Sequence, residues 1–228
     1  SLEKLGKAFE KFYFFPGNHD LYYKDKRDIN SIDFARHIEG ITMVNEMMTE
    51  GDVTLIPWLV GDEWKKIPKI KSKYIFGHFE LPNFYMNAMV QMPDTGELQA
   101  DHFKHQEYVF SGHFHKRQVK GPVHYIGNAL PHNYADAWDD ERGMMILEHG
   151  GEPQYINWWN CPKYRTIKLS RLLDEKETIL KSKMYLRVTL DLPISYEEAN
   201  FIKETFINQY NCREISLIPN TQEEEMNS

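Results

Sequence analysis

The stretch Phe15-Pro16-Gly17-Asn18-His19-Asp20 follows the aromatic run Phe12-Tyr13-Phe14 and ends on an amide, an imidazole and a carboxylate. Each of these groups can hold a metal ion or take part in proton movement, and a strand that stops on them presents them at a fixed point. Two further aromatic runs stop in the same manner. Tyr74-Ile75-Phe76 runs into Gly77-His78, and Tyr108-Val109-Phe110 runs into Ser111-Gly112-His113-Phe114-His115. A glycine at each exit lets the backbone turn sharply and crowd ligands around a common point. His113 and His115 are two apart, so an extended backbone projects both to one side and returns Phe114 to the core. Neutral imidazoles and amide oxygens suit manganese, iron or zinc, whereas magnesium and calcium favour oxygen-only cages. Two such ions about 3.5 to 4 Å apart can clamp a phosphoryl group, acidify water and stabilise a leaving oxygen. On this reading Asn18 coordinates, His19 contacts phosphate or donates a proton, and Asp20 steers the His19 ring. Lys116 and Arg117, directly after the histidine pair, are placed for substrate phosphates.

Taken singly, each motif has a plain structural reading, since Asn-His-Asp after Pro-Gly is commonly a turn. Their combination at the ends of three aromatic strands is what points to chemistry. Other titratable residues are assigned the plain reading. His102 and His105 imitate a ligand pair on an expected helix but go to packing, and Lys65, Lys66, Lys69, Lys71 and Lys73 to a solvated edge.

The elements that position these groups follow from periodicity. Leu2, Leu5, Phe9 and Phe12 recur at helical spacing, which predicts a helix feeding the first aromatic strand. A short helix is expected over Ile32 to Ile38, a strand over Val53 to Val60, a helical stretch over residues 101–108 and a strand over Val123 to Ile126. The run from Met144 to Trp159 predicts a hairpin turning at Gly150-Gly151. Past about Ser170 a helical SRLLDEKETIL leads to a half-buried strand carrying Leu186, Val188 and Leu190. Ser195 and Glu198 form a capping box for a helix with Ala199, Ile202, Phe206 and Tyr210 on its apolar side, and CREISLIP supplies a further strand. The expected architecture is α/β (α+β), with a β sandwich flanked by helices over residues 1–170 and a small α/β domain over 171–228. The tail TQEEEMNS reads as acidic and loose.

Composition sets the bounds. The chain has 228 residues, of which 41% are hydrophobic and 14% aromatic, enough for one good core and a small second one. No apolar run reaches the roughly 20 residues of a membrane-spanning helix. Cys161 and Cys212 lie far apart and outside any C-x-x-C, which argues against a disulfide framework or thiolate zinc site and for a reducing, cytoplasmic setting. A net charge of −7 argues against nonspecific coating of nucleic acid, while leaving room for a local basic patch.

GNHD, then GH, then GHxH, in this order, resembles the calcineurin-like metallophosphoesterase superfamily. Within it, Leu55 to Trp58 (LIPW), SGHFH, and YIGNAL followed by DERG look like the meiotic recombination eleven and SbcD nuclease family, especially the recombination endonuclease subunits of T-even-like phages. The likeness runs over about residues 1–160, and the family places a DNA-capping domain after it. It implies that Asn18, His78 and His113 hold one metal ion, that His115 holds the other, and that His19 is the catalytic histidine. It further implies two divalent ions, manganese first, cleavage of DNA phosphodiesters on duplex ends and single strands, a homodimer, and an SbcC-type ATPase partner of the SMC class in a bacterial cell. The family's D-x-H and the G-D-x-x-D block with the metal-bridging aspartate are absent from this sequence. The expectation is therefore an N-terminally truncated chain, nearly inactive alone, from an active longer parent. Phosphomonoesterases and cyclic nucleotide phosphodiesterases share the same motifs, and a non-catalytic scaffold binding DNA or the ATPase is the remaining alternative.

Overall fold

The computed structural model describes residues 1–86 and 90–220, so the acidic tail TQEEEMNS lies outside the described residues. The fold is mixed α/β, as the sequence predicts, and divides into two compact units, Ser1–Gly127 and Asn128–Ser228. Among the described residues, no helix is long and apolar enough to cross a membrane.

The first unit opens with helix α1 (Leu2–Ala8) and strand β1 (Phe12–Phe14), which pairs in parallel with β2 (Ile41–Met43). The apolar spacing predicts a helix as far as Phe12, yet α1 stops at Ala8 and Phe9 is already extended, with φ −121° and ψ 146°. Aromatic rings fit a pleated surface better than a helical one, so Phe12 opens the strand instead. A six-stranded sheet follows, built from β3 (Met48–Glu50), β4 (Val53–Ile56), β5 (Tyr74–Gly77), β6 (Tyr108–Ser111), β7 (Gln118–Lys120) and β8 (Val123–Tyr125), in the order β3-β4-β5-β6-β8-β7. The four central strands are parallel and both edges antiparallel. Central parallel strands are covered on both faces, so they read as continuous apolar runs. Ile56, Ile75, Val109 and Val123 are accordingly fully buried.

Parallel pairing has a functional consequence. The register sets Ile56 beside Gly77 and Gly77 beside Ser111, so β4, β5 and β6 finish at one edge of the sheet. Ligands of open α/β sheets bind at such carboxyl ends. The connecting segments are tighter than predicted. Residues 32–38 and 101–108 hold short 3₁₀ turns, at Asp33–His37 and Ala100–Phe103, and a longer 3₁₀ run spans Gly61–Lys69 with Pro68 inside it. In the longest of these, Pro68 removes a backbone donor that an α-helix would need.

The second unit contains the expected hairpin, β9 (Gly143–Ile146) with β10 (Gln154–Asn157), Met145 facing Tyr155 and Gly150 at φ +78°. Strands β11 (Lys163–Lys168), β12 (Met184–Leu190) and β13 (Glu214–Pro219) form a parallel sheet in that order, connected by helices α2 (Leu169–Ile179) and α3 (Tyr196–Tyr210). Leu172, Leu186, Val188, Phe206 and Ile215 make its core. The capping box forms: Glu198 N–H donates to Ser195 Oγ at 3.2 Å and Ser195 N–H to the Glu198 carboxylate at 2.7 Å. In the DERG segment, Arg142 is buried and paired with Asp136 and Asp139, each at 3.1 Å, while Asp140 accepts two hydrogen bonds from Arg165 at 2.6 and 2.9 Å. Cys161 and Cys212 are buried and not disulfide-bonded.

Candidate metal centre

Asn18 begins a single 3₁₀ turn immediately beyond β1. The Gly17 N–H donates to the Asp20 carboxylate at 2.8 Å, which closes that turn and aims the Asn18 side chain toward the ends of β5 and β6. The Asn18 Oδ1 lies 3.0 Å from His78 Nε2 and 3.3 Å from His113 Nδ1, partners 60 and 95 residues away in the chain. The His78 and His113 rings stand edge to face with centroids 5.3 Å apart. Strand ends from two sheets thus converge, β1 from the two-stranded sheet and β5 and β6 from the six-stranded one.

The glycines serve this convergence differently from the sequence expectation. None of Gly17, Gly77 and Gly112 has a positive φ. Their role is close approach. A Cβ on Gly17 would lie 2.7 Å from His78 Cε1 and one on Gly112 2.9 Å from His78 Nδ1, so the ring is held between two bare backbones. At Gly77 a Cβ would come within 2.3 Å of the Phe79 ring. Backbone conformation is instead unusual at His113, with φ +81° and the Phe114 N–H donating to the Gly112 carbonyl at 3.2 Å. Those two features mark a classic γ-turn, a strained arrangement for a residue with a side chain. The backbone at GHFH is therefore not extended as the two-residue spacing predicts, although Phe114 does enter the core.

Several residues outside the candidate ligand set hold the cluster in place. Glu80 Oε1 lies 3.3 Å from His113 Nε2. With that outer nitrogen donating to a carboxylate, the Nδ1 lone pair of His113 faces the Asn18 oxygen, the arrangement that orients histidines at metal sites. Trp58, just past the end of β4, sets its ring 5.4 Å from His113 and 5.9 Å from His78. Its N–H donates to the Pro16 carbonyl at 2.9 Å and its own carbonyl accepts from Arg27 at 2.7 Å. Arg27 is nearly buried and forms a bidentate pair with Glu63, at 2.5 and 2.7 Å. The loop after β5 is held from below: Tyr125 Oη donates to the Phe79 carbonyl at 3.0 Å and accepts from Leu81 N–H at 3.1 Å, and Ser111 Oγ accepts from Phe79 N–H at 2.9 Å. For Trp58 the signals were its place in the LIPW motif and at the carboxyl end of a parallel strand. Glu80 and Arg27 carry no signal in the sequence, because their partners are distant along the chain.

Burial sets the charge state. His78 is pushed down to about 4, first by burial and then by the neighbouring His113 and His19. Burial also lowers His113, opposed by Glu80. Both rings are neutral near pH 7, which is the form that ligates metals. His19 is exposed and close enough to act on both rings, and His115 acts on His113, so the two flank the cluster. Asp20 accepts from the Gly17 N–H and so fixes the backbone turn that carries Asn18 and His19. Lys116 Nζ sits over the Tyr85 ring at 5.4 Å, and Arg117 Nε donates to the Ile126 carbonyl at 3.3 Å, so part of the arginine is engaged in holding backbone. His102 accepts from the Gln99 N–H at 2.9 Å and packs against Trp64, a structural role as predicted.

One oxygen and two imidazole nitrogens facing one another suit a borderline divalent ion. Among the described residues, no three His, Cys, Asp or Glu side chains gather closely enough to hold a metal by themselves, so the donor set depends on the Asn18 carboxamide.

No known family profile matches the chain. Over 141 residues it is 28% identical to Exonuclease subunit 1 of Enterobacteria phage T4, an alignment covering 58% of this chain and 40% of that protein. The chain thus spans less than half the length of this relative, to which it is distantly similar.

Proposed function

We propose that the chain is part of a nuclease that hydrolyses DNA phosphodiester bonds at a two-metal centre, as in the meiotic recombination eleven and SbcD family. The observation that carries this is the Asn18 carboxamide lying within 3.3 Å of imidazoles from two other strand ends. The similarity to a phage exonuclease subunit supports the same reading. Asn18, His78 and His113 would hold one ion, with manganese the first candidate, and His115 the second. Bound ions would supply positive charge to the phosphoryl oxygens and lower the pKa of an attacking water. The residues themselves orient and move protons. His19, which is exposed, would protonate the leaving oxygen, Trp58 and Glu80 would keep the two half-buried rings aligned, and Lys116 would meet a flanking phosphate. A second ion with a single histidine ligand is weakly held, and this polypeptide alone is expected to turn over DNA negligibly. Homodimerisation, an SMC-like ATPase partner and a cytoplasmic setting belong to the same proposal.

The test is a manganese-dependent assay on labelled duplex and single-stranded DNA, run on this chain and on the full-length product of its gene. The proposal expects cleavage by the full-length product, loss of cleavage in His19→Ala with manganese binding retained, and next to none by the 228-residue chain. A full-length product that hydrolyses phosphomonoesters and leaves DNA intact would replace this reading with the phosphatase alternative.

A further inference from the structure

Beside His78 lies an open cleft of about 100 Å³ that no motif assigns. Trp58, Trp64 and Leu98 line it, and Glu80, Thr95 and Glu97 add polar groups. Among the described residues that line it, none is Lys or Arg, and two are glutamates. The Lys65 ammonium reaches the Trp64 ring from 5.8 Å but is paired with Asp62 at 2.8 Å. Such a cleft repels phosphate. It suits a neutral, flat group that stacks on indole and donates hydrogen bonds to carboxylates.

We propose that this cleft holds one unpaired nucleobase of the strand whose phosphate is presented to the histidine cluster, with preference for bases bearing an exocyclic amine. The inference rests on the nuclease reading and deepens it by naming what lies next to the scissile phosphate. His78 contributes to both the cluster and the cleft, so a strand with its phosphate at the first has its neighbouring base within reach of the second. Aromatic side chains stack on any base. Carboxylates accept from the amino groups of cytosine and adenine, and thymine offers no such group. Splaying one base out of a stack is cheapest at an end or in a single strand. The site therefore favours frayed ends and single-stranded stretches over intact duplex.

The test is equilibrium binding of the 228-residue chain, with manganese present, to short oligo(dC), oligo(dA), oligo(dT) and an abasic strand of equal length, read by tryptophan fluorescence and calorimetry. The proposal expects oligo(dC) and oligo(dA) to bind more tightly than oligo(dT), and the abasic strand to bind most weakly. Trp64→Leu should weaken oligo(dC) binding about tenfold, the size of one lost stacking contact, with the abasic strand unchanged. Glu97→Gln should reduce the preference for cytosine over thymine. Unchanged manganese binding in each variant shows that the fold is intact. An abasic strand bound as tightly as oligo(dC), or no effect of either variant, overturns the nucleobase site while leaving the nuclease reading standing. Failure of every strand to bind in manganese likewise overturns the nucleobase site, whereas the nuclease reading falls only if the full-length product fails to cleave DNA.

Discussion

At the scale of single residues, the arrangement depends on what is missing as much as on what is present. His78 lies between Gly17 and Gly112, where a methyl group would sit 2.7 and 2.9 Å from ring atoms. Contacts under about 3 Å force something to move, and both neighbours of the ring are backbone. Gly17→Ala and Gly112→Ala are expected to push the ring off the Asn18 oxygen, costing about 1–3 kcal/mol of stability and weakening manganese binding by at least about tenfold. Chemical denaturation paired with calorimetry checks both effects, and wild-type manganese affinity in either variant would show that the close approach is not required. Buried neutral imidazole also makes a pH prediction. The folded pKa of His78 is lowered to about 4 from an ordinary 6.5, so the unfolded chain takes up the proton first. Stability is then unaffected by this group above about pH 6.5 and falls as pH drops toward 4, by about 3 kcal/mol at most. Urea unfolding across that window should show the slope in the wild type and a flatter curve in His78→Gln. The residue types of the cluster were legible in the sequence because each sits directly after an aromatic strand. The turn at His113 was not, since a positive φ at a histidine is imposed by its surroundings and leaves no local mark.

At the scale of elements, the strands were easier to read than the segments joining them. β5 and β6 are announced by continuous apolar runs, and the hairpin of β9 and β10 by its Gly-Gly turn. Edge strands β3 and β7 have three residues each and mixed exposure, too little pattern to stand out. The 3₁₀ turns share their apolar spacing with short helices, so periodicity cannot separate the two. Packing between elements then decides how well the ligands are aimed. Tyr125, fully buried on β8, hydrogen-bonds at both Phe79 and Leu81 and so fixes the loop that carries His78 and Glu80. Tyr125→Phe preserves the ring and leaves two backbone groups without their partner. The expected cost is about 1–3 kcal/mol, together with weaker manganese binding as the loop loosens. A melting temperature equal to wild type would remove the hydroxyl from this account.

At the scale of the whole molecule, each unit has its own core. One is built around Ile56, Ile75, Phe79, Val109 and Tyr125, and the other around Leu172, Leu186, Val188 and Phe206. The first core places three strand ends together, and the candidate centre is a product of that folding, since its donors are scattered over 96 positions from Asn18 to His113. Fold class and the residue types that gather at the strand ends could be read from the sequence. The supporting residues could not, because Arg27 meets Glu63 and Trp58, and Glu80 meets His113, through contacts that exist only once the sheet has formed. Titration of manganese into the folded 228-residue chain, with Asn18→Ala, His78→Ala and His113→Ala in parallel, tests the central claim most directly. The account predicts one saturable site in the wild type, absent in the urea-unfolded chain and weakened at least about tenfold in each variant. Manganese bound equally well by all three variants would contradict it.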